Sequence, residues 1–317
     1  MLHDLPTGWT TRAPEPSDAE EVTALVLACD LQVLGHSDAT VEQTAADIAA
    51  PGYDRERAGL LIHDESGGLV GFLWTQDDPS SASVFVDPYS LDPDLTDWLL
   101  RRGMAYVRDL ARERGTAIAA KAGSYDHDRE LAAALDRAGL TVRRTFWRMR
   151  IDLDGREWPM PVPPRGVVLR NPDPVAESTY VELHRLISEF FAGHYDFTAR
   201  DYPTWRARFD AEAGRDPLQW WVADVDGIPA AVLIGDESRA ELGMGWVGTL
   251  GVLAPYRGRG LGRLLLRTAF AHASARGRTS VGLAVDSENT TGATALYESV
   301  GMRPESVLLA WRGDVTP

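Results

Sequence analysis

The 317-residue chain contains one cysteine, Cys29. A lone cysteine excludes an internal disulfide and any cysteine metal cluster. Cys29 is expected to be a buried apolar residue. No apolar run approaches the length of a membrane span, and the N-terminus has no continuous apolar signal segment. A cytoplasmic protein without a membrane partner is the expectation. Positive charge is also scarce: 32 Lys and Arg stand against 47 Asp and Glu, a formal net charge of -15. General nucleic-acid binding needs a basic surface that displaces counterions, so that class is excluded. His184 and His194 are too far apart to share a helix turn, and no His/Cys/Asp cluster accompanies them, so no metal is expected.

Two nucleotide signatures are missing as well. A Walker A loop needs Gly-Lys-Ser/Thr, which does not occur. A dinucleotide fingerprint needs G-x-G-x-x-G. From Gly258 the count reaches Arg263, and from Gly260 it reaches Leu265. What the chain does have is Thr249-Leu-Gly-Val-Leu-Ala-Pro-Tyr-Arg-Gly-Arg-Gly-Leu-Gly262. An apolar strand pattern ends at Pro255, and an arginine-glycine loop opens into an apolar-periodic helix. Glycines let backbone N–H groups crowd together, and the helix start adds its own free N–H groups and positive dipole end. That order predicts an anion site suited to a diphosphate. Leu250 to Val252 can offer a strand edge just before it. A ligand with a peptide-like arm and a diphosphate describes coenzyme A.

The element order repeats. Residues 152–165 hold four prolines and no periodicity, and read as a connecting arm. Before it come a strand near Gly8–Arg12, a helix after Asp18, a hairpin over residues 58–63 and 69–74, and a short strand at Ser83–Val86. A helix over Leu95–Arg114, a strand at Ala117–Ala120, a helix ended by Gly139 and a closing strand at Thr145–Ile151 follow. After it come Val167–Arg170 (strand), two helices, a hairpin over Gln219–Ala223 and Ala230–Ile234, and the strand Trp246–Val252. Helix Leu261–Ala275, strand Thr279–Val285, helix Thr291–Ser299 and strand Val307–Arg312 complete the second pass. The period is near 155 residues. The prediction is an α/β (α+β) tandem fold: two mixed, mostly antiparallel sheets, each flanked by helices. The expected domains are 1–151 and 166–317.

The halves differ where chemistry is expected. The first half runs Val84-Phe-Val-Asp-Pro-Tyr-Ser-Leu-Asp-Pro-Asp94. It lacks the arginine-glycine loop, and Asp92 and Asp94 repel a diphosphate. It is expected to be degenerate, and to buttress the second half.

Val252-x-x-Pro255-x-Arg257-Gly-Arg-Gly-Leu-Gly262 resembles the acyl-CoA motif of the GCN5-related N-acetyltransferase (GNAT) superfamily. The strand Val281–Asp286, then Asn289, then Leu296-Tyr-Glu-Ser-Val-Gly-Met302 resemble that family's last core elements in register. The tandem arrangement is distantly like the mycothiol synthases, which acetylate the cysteine amine of a thiol-sugar precursor. The resemblance is strong over residues 245–303 and architectural elsewhere. It implies acetyl-CoA as cosubstrate and a small-molecule amine as acceptor, in a monomer or homodimer. A non-catalytic acyl-CoA-binding protein is the alternative.

Carried residue by residue, the resemblance implies that Leu250, Gly251 and Val252 meet the pantetheine arm. Arg257, Gly258, Arg259, Gly260, Leu261 and Gly262 hold the diphosphate, and Asn289 bonds the arm. Tyr297 matches the family tyrosine that protonates the leaving thiolate, and a phenol with a reference pKa near 10 is protonated at neutral pH. The general base is left open between Glu241, just before the central strand, and Asp196, in a polar-aromatic segment; the resemblance also allows a carboxylate acting through water, or no dedicated base.

Overall fold

The computed structural model describes residues 4–317 except 38, 51–52, 79–80, 193–196, 212–213 and 289–291. In chain order the first repeat has β1 (Thr10–Arg12), α1 (Ala19–Leu34), α2 (Val41–Ile48), α3 (Arg55–Ala58), β2 (Gly59–His63), β3 (Leu69–Asp78) and β4 (Ser83–Tyr89). It continues with α4 (Pro93–Arg114), β5 (Ile118–Tyr125), α5 (Arg129–Arg137) and β6 (Thr141–Asp152). The second has β7 (Val167–Arg170), α6 (Glu177–Phe191), α7 (Tyr202–Ala211), β8 (Arg215–Val225), β9 (Ile228–Asp236) and β10 (Met244–Val252). It closes with α8 (Leu261–Ala275), β11 (Ser280–Asp286), α9 (Ala293–Ser299) and β12 (Arg303–Val315). The repeated element order is thus present.

The sheet corrects one expectation. Hydrogen bonds order the strands β1-β2-β3-β4-β5-β12-β6-β11-β10-β9-β8-β7 in one twelve-stranded mixed sheet rather than two separate sheets. The cause lies in the long strands that end each repeat. The two compact units are Met1–Phe146 with Ser306–Pro317, and Trp147–Glu305. The second half of β6 belongs to unit 2. The larger part of β12 belongs to unit 1, where it pairs antiparallel with β5 from Leu308↔Tyr125 to Val315↔Ile118. The unit boundary therefore differs from the 1–151 and 166–317 division read from the sequence.

Unit 1 buries apolar side chains on both sheet faces. Val84, Val86, Leu99, Val107 and Leu135 form one cluster with α4 and α5. Val22, Leu25, Leu61 and Phe72 form the other with α1. Cys29 packs half-buried against this second cluster, not fully buried as expected, and burial pushes its thiol up to about 12. Such a thiol supplies no thiolate near neutral pH.

Unit 2 has the same layering. Leu261, Leu265, Leu266 and Phe270 of α8 pack on Leu233, Val247, Val281 and Leu283. On the other face Leu183, Leu186 and Phe190 of α6 pack with Phe209, Trp220, Val232 and Ile234. The stretch 152–165, read as a connecting arm, is part of this unit. Trp158 meets Phe270 edge-on at 5.5 Å, and Ser274 Oγ donates to the Arg156 carbonyl at 3.1 Å. One aromatic anchor orders a run that has no periodicity of its own.

Candidate active site

The site begins where β10 leaves β11. The two pair in parallel only from Met244↔Ser280 to Val247↔Leu283. β10 stays with β9 as far as Val252↔Ala231, with a register shift between Val247 and Thr249. Gly248 is the extra residue of this bulge, which bends β10 away from its parallel neighbour. Leu253 N–H donates to the Ala230 carbonyl at 2.9 Å. In an antiparallel ladder, backbone groups alternate sides every residue. Gly251 therefore faces β9, while Leu250 and Val252 direct their backbone groups into the gap. In agreement, the Val252 carbonyl accepts from Arg257 Nε at 3.1 Å.

The gap leads to the start of α8. Gly258 and Gly260 have φ of +75° and +78°, the left-handed region that glycine enters without strain. A Cβ at either would meet nothing within 4 Å, so the space in front of the loop is open. Gly260 is the N-cap and has no side chain to cap the helix. The first helical bond runs from Leu264 N–H to the Gly260 carbonyl. The N–H groups of Leu261, Gly262 and Arg263 thus emerge at the helix start, where the dipole favours an anion. Arg257 and Arg259 are exposed beside it, and Arg259 lies over the Tyr256 ring at 5.5 Å.

The other glycines serve packing. A Cβ at Gly262 would sit 2.7 Å from Leu296 Cδ2, so Gly262 lets α9 approach α8. A Cβ at Gly251 would sit 2.2 Å from Phe190 Cζ; the glycine admits an aromatic ring from α6.

Tyr297 lies on α9, 7% exposed, within the cluster that faces α8. Burial pushes its hydroxyl up to about 12. Glu241 is exposed, in a 3-10 turn before β10. From Met244 to Gly248 alone β10 advances about 13 Å, so Glu241 stands well back from the bulge. Asp196 and Asn289 fall outside the described residues, as does His194. His184 is a packed histidine: its Nε2 lies 2.9 Å from the Arg200 carbonyl, and its ring contacts Tyr202 and Trp205.

A carboxylate that sequence reasoning passed over sits at the bulge. Asp236 ends β9 and is 5% exposed. A Cβ at Gly248 would lie 3.2 Å from Asp236 Oδ2. Oδ1 accepts from Ser238 N–H at 3.0 Å and from Ser238 Oγ. Burial pushes its carboxyl above the ordinary value, against the opposing pull of the Ser238 bonds and of Arg215 and Arg239. The signal was present: one acid closes the otherwise apolar run Ala230-Ala-Val-Leu-Ile-Gly-Asp236.

Unit 1 has a comparable parting of strands. There β4 and β5 pair in parallel only from Ser83↔Ala119 to Phe85↔Lys121. Its helix start is closed differently. Asp92 is the N-cap of α4 and accepts from Asp94 N–H at 2.9 Å, with Pro93 in the first turn. A carboxylate already occupies the place of an anion.

A bulged central strand that parts from its parallel neighbour and runs into a glycine-rich helix start defines the GNAT class. Residues 180–302 match the model of the Acetyltransferase (GNAT) family. The chain is 30% identical to a mycothiol acetyltransferase of Nocardia farcinica over 98% of each protein. The chain belongs to the GNAT acetyltransferase family and is an N-acetyltransferase that acts on small molecules. Among solved structures, a GCN5-related N-acetyltransferase from Sphaerobacter thermophilus superposes with a TM-score of 0.82 at 25% identity, covering 99% of this chain and 98% of that one. A tandem GNAT protein from the clavulanic acid biosynthesis pathway shares the fold at a TM-score of 0.72 and 16% identity, covering 98% of this chain and 99% of that one. No helix among the described residues is long and apolar enough to cross a membrane.

Proposed function

We propose that the chain transfers the acetyl group of acetyl-CoA to the primary amine of a small molecule, by direct attack and at one site in unit 2. The observation that carries this reading is the gap after Val247, which ends at a helix start with outward N–H groups. An extended slot closed by an anion cradle suits a peptide-like arm joined to a diphosphate. Leu250 and Val252 offer backbone to the arm, as an added strand would use it. The loop Arg257–Gly262 and the α8 start hold the diphosphate. Asn289 is assigned to the arm by family resemblance.

Three tasks remain for side chains. The ammonium must lose a proton, the nitrogen must attack the thioester carbon, and the C–S bond must break with the thiolate taking up a proton. Asp236, at the bulge, is assigned the first, in place of Glu241 and Asp196. Its raised pKa makes it a stronger base than an exposed carboxylate. Tyr297 gives its proton to the thiolate, and the second proton that the nitrogen sheds as the amide forms returns through solvent to the phenolate. The amide product forms without an acyl-enzyme.

Acetyl-CoA release of thiol against a panel of amines tests the reading; no release above background with any amine overturns it. A second acceptor reading is favoured by the full-length likeness to a mycothiol acetyltransferase. In it the acceptor is the cysteine amine of a thiol-sugar, which belongs in the same panel.

Calorimetry should find one acetyl-CoA per chain, because Asp92 caps the counterpart helix of unit 1. A stoichiometry near two contradicts this. Gly260→Val should cut acetyl-CoA affinity at least about tenfold, since a β-branched residue is strained at φ +78° and fills the open face of the loop. The strain should also cost about 1–3 kcal/mol of stability. A folded variant with unchanged Kd would remove the loop from the binding site.

A further inference from the structure

We propose that Ser238 is the positioning residue of the base: its two donors hold Oδ1 of Asp236 and turn Oδ2 onto the open bulge at Gly248, where the amine gives up its proton. This role rests on the acetyl-transfer reading, with Asp236 as its base.

The carboxylate of an aspartate turns about a soft torsion, and its two oxygens are alike until a neighbour distinguishes them. Here Ser238 does so. Its N–H donates to Asp236 Oδ1 at 3.0 Å, and its Oγ donates to the same oxygen. Oδ2 is left on the other side, 3.2 Å from the place a Cβ would take at Gly248. Asp236 is only 5% exposed, whereas Gly248 is exposed, so the bulge is the open ground beside the acid.

Ser238 is itself held. Glu237 N–H donates to the Gly214 carbonyl at 2.7 Å. A Cβ at Gly214 would sit 2.5 Å from Ser238 N, so the glycine lets the turn lie close to the start of β8. The Glu237 carboxylate accepts from Gln219 Nε2 at 2.7 Å and pairs with Arg276 at 3.0 Å and with Arg278. Arg239 Nη1 donates to Ser238 Oγ at 3.4 Å, which leaves the Ser238 hydroxyl hydrogen for Asp236. The turn is thus anchored on both sides of Ser238.

The consequence is which oxygen takes the proton. Oδ1 accepts both Ser238 bonds as a carboxylate oxygen and can keep them as the carbonyl oxygen of the acid. An N–H bond of the ammonium therefore breaks as an O–H bond forms on Oδ2, and the acid later returns that proton to water. The Ser238 bonds also favour the ionised form, against the upward push of burial. Among the described residues, Arg215 of β8 and Arg239 of the turn act in the same direction. Glu237 beside them is engaged by Arg276 and Arg278. These charges stay in place when Ser238 is replaced.

The test follows thiol release from acetyl-CoA against pH, in the full chain, with the amine that releases thiol fastest in the panel. Ser238→Ala removes the hydroxyl and keeps the N–H. It should lower kcat on the plateau by about tenfold or more, because the carboxylate is no longer held. The ascending limb should move up by about one pH unit, the worth of one hydrogen bond to a charged group. The Kd for acetyl-CoA should stay near wild type. Ser238→Thr keeps the hydroxyl and should bring the limb and kcat back toward wild type; a purely structural role would not couple the limb to the hydroxyl in this way. Gly248→Ala carries the test should Ser238→Ala not fold. Its methyl group lies against Oδ2 and should lower kcat/KM for the amine at least about tenfold. An unmoved limb in Ser238→Ala, no recovery in Ser238→Thr, or wild-type kcat/KM in Gly248→Ala would overturn the assignment. Asp236→Asn separates the two levels. If it keeps the limb, the base reading falls and the role of Ser238 with it. If it loses the limb while Ser238→Ala leaves the limb in place, Ser238 alone is removed.

Discussion

Replacing Tyr297 by phenylalanine is expected to lower kcat by about 10²–10⁴ while leaving the Kd for acetyl-CoA nearly unchanged. In the proposed mechanism the hydroxyl acts on a thiolate that exists only as the C–S bond breaks, so its loss weakens the transition state rather than the bound state. The ring itself is 7% exposed and packed with α8 and the sheet, and phenylalanine keeps that packing. Thermal stability should therefore hardly move. The pH profile offers a second check. A general acid works below its pKa, and burial has pushed this one up to about 12. Activity should show no descending limb from Tyr297 across the neutral and mildly alkaline range. Wild-type turnover in the phenylalanine variant, under conditions where chemistry limits the rate, would remove Tyr297 from the mechanism. Orientation of the thioester beside the amine would then be the main catalytic device.

Asp236→Asn should be as damaging, lowering kcat/KM for the amine by about 10²–10⁴. A base must be ionised, so activity rises as pH passes upward through the pKa of Asp236 and is lost below it. Burial raises that pKa above the ordinary carboxylate value, which places the ascending limb higher than an exposed aspartate would give. Asparagine keeps the side-chain shape beside Ser238 and removes the titration, so this limb should vanish from the profile. Folding responds in the opposite direction. An acid whose folded pKa is raised costs stability once it ionises, so the wild-type protein loses stability as pH rises from the unfolded to the folded pKa. The variant should escape that loss. A retained limb at the same pH, with activity near wild type, would assign the proton transfer to another group.

The glycine loop was legible because its information is local. Left-handed φ at Gly258 and Gly260 and a helix beginning at Leu261 follow from neighbouring residues alone. The apolar runs over 219–223 and 230–234 likewise marked the hairpin of β8 and β9. Helix α2 was missed although its signal was there: Thr40 Oγ1 accepts from Gln43 N–H at 3.2 Å, an N-cap with Gln three residues on. Asp236 was missed for a different reason. At the end of an apolar strand an acid reads as a boundary, and nothing in the order of residues says that a bulge at Gly248 will be laid against it.

By itself the sequence determined the repeated element order, the glycine loop and the helix it opens, and the acidic replacement at Asp92 and Asp94. Each depends on residues within one turn or one strand of each other, where backbone preference, capping and charge act directly. Only the tertiary structure decided the rest. It carried Ser306–Pro317 back to unit 1, brought Asp236 to the bulge, put Phe190 over Gly251 and Leu296 against Gly262, and set Trp246 on Gly282 beside two arginines. Those partners are far apart in the chain. Their meeting depends on strand register, on where a parallel pair stops, and on which small residue leaves room for a distant side chain, and these are properties of the folded sheet.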